Sequence, residues 1–205
     1  MNWGKVKRSL DIYDNQVCYS QEGEDLILSH YFGLKENGFY VDIGAYHPKK
    51  LSNTALFYQK GWCGINVEPN KKSWELLKKK RPRDINLNLG VDSEPGFREL
   101  YLDDACSSFD GGWSSFRGKE EVKVTTLALL LEAYLPFNQP IDFLSVDTEG
   151  NDLVVLKSND WKKYRPKLVL VELLRDGWDI VKFMGEQNYG IKYRTYLNGI
   201  FERLD

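Results

Sequence analysis

The sequence predicts an α/β three-layer domain on a mostly parallel sheet, with a C-terminal antiparallel hairpin. Three observations predict it. Strand-like and helix-like segments alternate through most of the 205 residues. Several strand-like segments are near-continuous apolar runs, such as Leu168–Val171, as expected of strands buried on both faces. Asn198-Gly199 near the C-terminus parts two further runs, as a two-residue hairpin turn would.

The elements follow in order. Phe39–Gly44 is a short apolar run after Asn37-Gly38 and reads as a strand. Leu51–Lys60 reads as a helix stopped by Gly61. Gly64–Glu68 is a second strand, and Lys71–Lys80 a helix closed by Pro82. Asp84–Leu89 and Phe97–Leu102 read as strands. Asp103–Lys119 is rich in Ser, Gly and Asp, with Trp113 and Phe116 interleaved, and reads as a long functional loop. Val122–Thr125 is a strand, and Thr126–Tyr134 reads as a helix with Thr126 or Thr125 as its cap. Ile141–Val146 and Leu168–Glu172 are strands, with a short helix at Asp152–Lys157 between them. Asp176–Gln187 is a helix, and Ile191–Tyr196 and Ile200–Leu204 form the hairpin. With no repeat and no low-complexity segment, residues 1–205 read as a single domain, 1–19 being an extension.

Composition narrows the class. Hydrophobic residues are 42% and charged residues 28% of the chain, values ordinary for a globular protein. The net charge of −2 offers no field for nucleic acid, and Lys71-Lys72 with Lys78–Arg81 reads as the solvated face of a helix. No apolar stretch approaches the length of a membrane span, and Met1–Asn15 lacks the apolar centre of a signal peptide. Cys18, Cys63 and Cys106 are odd in number and far apart, which argues for a reducing compartment. The expected location is cytoplasmic.

In open parallel sheets ligands bind outside the carboxyl ends of the strands, so the residues that end strands matter most. The first strand ends Asp42-Ile43-Gly44-Ala45-Tyr46-His47, where a glycine permits a sharp turn and a close ligand approach. The second ends at Glu68, placed as an acid that accepts hydrogen bonds from both ribose hydroxyls. This pairing indicates a cofactor containing adenosine. Only Gly44 of a Gly-x-Gly-x-x-Gly pattern is present, and no P-loop occurs. A small cationic cofactor without phosphates, S-adenosylmethionine, fits better than a dinucleotide. Asp42 then orients its amino acid part or sulfonium side. A third strand end, Asp147-Thr148-Glu149-Gly150-Asn151-Asp152, brings three carboxylates within six residues. They serve either as a base or cation ligand beside the cofactor turn, or as caps for the helix that follows.

Ser20-Gln21-Glu22-Gly23-Glu24-Asp25, Phe39–Ala45, Gly64–Pro69 and Val146–Gly150, in this order, resemble the FkbM-type methyltransferases. The resemblance runs from about Tyr19 to Glu172; at 205 residues the chain is compact for that family, which implies either a minimal enzyme or one domain of a larger glycan-synthesis polypeptide. It implies a Rossmann-like class I methyltransferase fold, a three-layer αβα sandwich, and O-methylation of glycans or glycosylated metabolites. It further implies that Asp42, Gly44 and Ala45 form the cofactor loop, that Glu68 binds ribose, and that Asn88 lies where adenine is bracketed. Gln21 lies in a stretch near the cofactor, and Asp147 and Glu149 match the Asp-x-Glu-Gly signature. The Ser20–Asp25 stretch also reads as a plain helix start, with Ser20 as cap. The chain departs from enzymes that methylate amino nitrogen, because no Asn/Asp-Pro-Pro-Tyr follows the fourth strand.

A sugar hydroxyl holds its proton tightly, so transfer to it needs positioning and a base or a metal. His30 reads as structural. His47 either reaches the acceptor or caps and packs beside Pro48. Asp147 and Glu172, with Glu149 close by, offer oxygen donors suited to Mg²⁺ or Mn²⁺, whereas Glu172 alternatively pairs with Arg175. Trp113 and Phe116, with Asp103, Asp104 and Asp110, have the chemistry of a carbohydrate platform on the acceptor side. Two other classes compete: a non-catalytic methyltransferase-like binding module, and an NAD-dependent sugar oxidoreductase or epimerase. The missing glycines oppose the second.

Overall fold

The structure, a computed structural model, describes residues 17–103, 106–110 and 117–205. Its main sheet has seven strands in the order β3-β2-β1-β7-β8-β10-β9. These are β1 Phe39–Ile43, β2 Cys63–Val67, β3 Ile85–Leu87, β7 Phe143–Val146, β8 Leu168–Glu172, β9 Tyr189–Arg194 and β10 Asn198–Arg203. All neighbours from β3 to β8 pair in parallel, and β10 runs antiparallel to both β8 and β9. A smaller sheet, β4 Gly90–Val91, β5 Gly96–Leu102 and β6 Gly118–Thr125, has β6 in the middle.

Every residue of β1 is buried, because the strand packs on both faces. Val41 and Ile43 join Leu144, Val146, Val169 and Val171 on one face. This face is covered by α4 (Leu127–Tyr134), α5 (Asp152–Lys157) and α6 (Gly177–Glu186). On the other face Tyr40, Phe143, Leu168, Leu170 and Ile200 meet Leu28 of α1 (Glu24–Phe32) and Phe57 of α2 (Ala55–Gln59). Trp62 stacks there against Phe57 at 4.7 Å. Burying such a side chain contributes about 1.5–3 kcal/mol, so the two apolar layers hold the sheet between them. Helix α3 (Lys71–Lys80) starts behind Asn70, whose side chain accepts from the Lys72 and Ser73 amides. Among the described residues no helix is long and apolar enough to cross a membrane.

Three boundaries differ most from the sequence reading. Helix α2 begins at Ala55 rather than Leu51, because residues 47–54 are held in an irregular turn. The buried Arg81 guanidinium donates to the Pro48 carbonyl at 2.7 Å, Ser52 Oγ at 2.8 Å and Thr54 Oγ1 at 2.6 Å. The C-terminal turn lies at Thr195–Leu197, and Asn198-Gly199 opens β10 instead. Tertiary contacts override the local turn signal there: Asn198 Nδ2 donates to Glu24 Oε1 at 2.7 Å, and Gly199 pairs with Val171 of β8. Strand β6 starts four residues before Val122, because it pairs with β5 out to Gly118 opposite Leu102.

Candidate active site

A cleft opens at the carboxyl ends of β1, β2, β4 and β7. It is lined by Gly44, Tyr46, Val67, Glu68, Gly90, Val91, Leu100, Ser107, Ser108, Phe109, Asp147 and Glu149, among others. Gly44 is where β1 and the β7 turn touch. Its φ is +83°, and a Cβ there would lie 1.8 Å from the Asp147 carbonyl oxygen. The turn is pinned on both sides: the Gly44 and Ala45 amides donate to the Val67 carbonyl, and the Asp147 amide to the Ile43 carbonyl. Ala45 itself is buried in this turn and does not line the cleft.

Glu68 follows β2 and is 5% exposed. Its carboxylate accepts the Tyr46 and Asn70 amides, both at 2.7 Å. A carboxylate offers about four lone-pair sites, so two remain for a ligand. Burial pushes the group up to about 7 despite these two hydrogen bonds. Across the cleft lie Asp147 and Glu149. The strand ends at Val146, so a turn with Glu149 at φ +55°, rather than strand alternation, sets their directions. Burial and the carboxylates of Asp152, Glu172 and Glu149 raise Asp147 well above the ordinary range. Burial and Asp152 raise Glu149, offset by a hydrogen bond from Cys106 and by Arg175. Glu172, at the end of neighbouring β8, is pushed up to about 7 by burial and by Asp152 and Glu149. Asp152 holds the turn, accepting the Thr148 amide at 2.8 Å and its hydroxyl at 2.9 Å.

Several candidates are placed away from the cleft. Asp42 is buried under it, accepting from Thr54 Oγ1 at 2.7 Å, so it braces the Arg81 network. Asn88 is exposed and donates to the Glu68 and Pro69 carbonyls at 3.0 and 2.8 Å. It shapes the Glu68 turn and does not line the cleft. His47 Nδ1 accepts the Lys49 and Lys50 amides at 3.0 and 2.9 Å. A neutral imidazole that accepts at Nδ1 carries its proton on Nε2, so it has no lone pair for a base. His47 thus ties down the 47–50 turn rather than capping a helix, since α2 begins only at Ala55. Ser20 does not cap α1, which starts behind Gly23 at φ +92°. Ser20 Oγ instead donates to Asp25 at 2.8 Å. Gln21 is exposed, and its neighbours Glu22 and Glu24 reach Leu197 and Asn198 in the C-terminal turn.

Asp147 and Glu172 do end adjacent strands, yet among the described residues no group of three or more His, Cys, Asp or Glu is placed to hold a metal ion. Arg175 pairs with Asp110 at 2.9 Å rather than bonding Glu172. The residues missed from sequence are those of the second wall: Gly90, Val91, Leu100 and Phe109. A Cβ on Gly90 would lie 2.5 Å from the Phe109 ring. The signal was present, since a lone glycine within the apolar run Leu89-Gly90-Val91 marks a close approach. Ser107, Ser108 and Phe109 bring the described part of the long loop onto this wall. Asp104, Trp113 and Phe116 lie outside the described residues.

The sequence profile of the methyltransferase FkbM domain matches residues 42–193, most of the chain. The chain belongs to this family. The cofactor of the FkbM domain described here is S-adenosylmethionine, and its activity is methyl transfer. No curated protein matches the chain. Among the solved structures similar to it are three methyltransferases. The TehB-like SAM-dependent methyltransferase from Corynebacterium glutamicum is 8% identical, with a TM-score of 0.46 over 98% of this chain and 96% of that one. The C-terminal domain of precorrin-6Y C5,15-methyltransferase from Rhodobacter capsulatus is 12% identical, with a TM-score of 0.44 over 86% and 80%. The O-methyltransferase from Bacillus cereus, in complex with SAH, is 13% identical, with a TM-score of 0.44 over 97% and 88%.

Proposed function

We propose that this FkbM domain is an O-methyltransferase whose acceptor is a hydroxyl of a sugar or glycan. The observation that carries the reading is Asp147, a carboxylate on the cleft wall against Gly44 whose neighbours raise its proton affinity. A carboxylate whose proton affinity burial and neighbouring acids have raised is a stronger base for removal of a hydroxyl proton than an ordinary one. A neutral amine is nucleophilic enough to attack before it loses a proton, so it depends less on such a group.

The lining residues divide the work. Glu68 is placed for the ribose hydroxyls, and the apolar wall of Val67, Val91, Leu100 and Phe109 for the adenine ring. Asp147 and Glu149 give the far end a negative field that suits a cation. S-adenosylmethionine supplies an already activated methyl group. What the protein adds is position: a near-attack geometry for the acceptor oxygen contributes several kcal/mol, roughly 7–11 kcal/mol at best. A cation held against Asp147 also lowers its proton affinity, so the carboxylate is charged when an acceptor arrives. The proton of the hydroxyl then passes to Asp147 as oxygen attacks. Among the described residues no group of three or more ligands is placed to hold a metal ion, and this reading assigns proton removal to the Asp147 carboxylate.

Glu68 gives a pH signature. Its carboxyl sits at about 7 in the folded protein, against an ordinary 4.5. The folded state therefore favours the protonated form, and its contribution to stability falls as pH rises between those values. Ribose hydroxyls need the charged form as acceptor. S-adenosylhomocysteine affinity is thus expected to rise from pH 5.5 to pH 7.5 and then level off, with the slope abolished in Glu68→Gln. Calorimetric titration across this range checks it, and a flat wild-type profile contradicts the role.

The acceptor class is tested with methyl-tritiated S-adenosylmethionine and matched panels of sugars, phenols and amines. Label on sugar oxygen is the expected result. Label only on amine nitrogen overturns the reading.

A further inference from the structure

Two large aromatic side chains stand almost fully in solvent at the carboxyl edge of the sheet. Trp178 is 89% exposed and Tyr196 is 84% exposed, with Leu174 beside them in sequence at 59%. Isolated exposed apolar residues are ordinary, but an exposed tryptophan and tyrosine brought to one edge by separate elements are not. Leu174 lies in the turn after β8, and Trp178 in the first turn of α6. Tyr196 lies in the turn between β9 and β10.

These segments are fastened together. The Leu173 amide donates to the Leu197 carbonyl at 2.8 Å, and Asn198 stands opposite Glu172 in the β8–β10 ladder. Glu22 accepts the Leu197 amide at 2.8 Å, and Glu24 accepts Asn198 Nδ2 at 2.7 Å, so the Gln21–Asp25 stretch holds the turn from below. That stretch does not line the cofactor cleft, and its acids anchor the turn that carries Tyr196. The rim is continuous with the cleft through Glu172, which ends the strand next to β7 and Asp147.

We infer that Trp178 and Tyr196 form an outer acceptor subsite that binds a sugar ring distant from the one methylated, so that the preferred acceptor is an oligosaccharide rather than a free monosaccharide. The inference rests on the sugar reading above. Tyr196 precedes β10, two strands beyond β7, which is about 10 Å across the sheet from Asp147. One pyranose ring does not span that distance, whereas a short chain of them does. Aromatic faces cover the C–H faces of sugar rings, and Glu172 and Gln21 on the same rim supply hydroxyl partners.

The test uses intact protein with saturating S-adenosylhomocysteine on an array of immobilised mono- and tetrasaccharides. Wild type is expected to retain tetrasaccharides, and Trp178→Ala with Tyr196→Ala to lose at least ten-fold, with S-adenosylhomocysteine affinity unchanged. For a sugar that is turned over, kcat/KM should fall in the variant for the tetrasaccharide and not for its monosaccharide. Retention unaffected by the substitutions, equal loss for both acceptor lengths, or no glycan retained overturns the subsite. So does binding to neutral phosphatidylcholine vesicles that the same substitutions abolish, because the rim then meets lipid. Retention of glycan without methyl transfer to it leaves the subsite standing and sinks the O-methylation reading.

Discussion

Gly44→Ala is expected to abolish S-adenosylhomocysteine binding and to lower Tm by roughly 6–12 °C. Two costs combine. The φ of +83° is strained for any residue with a Cβ, and the added carbon meets the Asp147 carbonyl oxygen at 1.8 Å. A backbone carbonyl in a turn pinned by hydrogen bonds cannot swing aside as a side chain does. The β1 and β7 turns must separate, and overpacking with strain of this kind costs about 3 kcal/mol or more. The Gly44, Ala45 and Asp147 amides that pin the turns would be lost with them. Thermal unfolding with and without S-adenosylhomocysteine checks both effects. A variant with wild-type Tm and wild-type affinity contradicts the close approach on which the cleft depends.

The second large effect is on turnover alone. Asp147→Asn keeps the shape of the side chain and removes the base. It is expected to lower kcat by about 10²–10⁴-fold. Stability should move the other way. Asp147 is raised well above its ordinary range by burial and by Asp152, Glu172 and Glu149, so the folded state pays for its charge at neutral pH. A neutral amide removes that repulsion, and the variant is expected to melt no lower than wild type at pH 8. Low kcat with intact or higher Tm separates a chemical role from a folding one. Unchanged kcat assigns the base elsewhere, with Glu149 and Glu172 the groups nearest in the cluster.

Much of the architecture was legible because local and tertiary preferences agree. The β1, β2, β7 and β8 runs are buried on both faces, and Gly44 and Glu68 end their strands where the periodicity put them. The failures share a cause. Asn198-Gly199 carries a strong local turn signal, yet Glu24 and the ladder to β8 claim both residues. Helix α2 starts late because Arg81, distant in sequence, takes the hydroxyls of Ser52 and Thr54 in its expected first turn and the Pro48 carbonyl just before it. The site shows the same pattern. Residues at strand ends were found, but Phe109 and Leu100 reach the cleft through the small second sheet and the loop, whose placement no periodicity announces. Asp42, Asn88 and His47 have the right chemistry at nearly the right positions. Their polar atoms are committed to Thr54, to two carbonyls and to two amides respectively, facts that only geometry reveals.

The central claim is that the cleft between Glu68 and Asp147 holds S-adenosylmethionine. Calorimetric titration of S-adenosylhomocysteine into cofactor-free protein at pH 8, repeated with Glu68→Ala and with NAD, tests it most directly. Micromolar binding to wild type, lost in the variant and not reproduced by NAD, is the predicted result. Folded protein that binds no S-adenosylhomocysteine, or binds it equally well without Glu68, would contradict the assignment of this cleft.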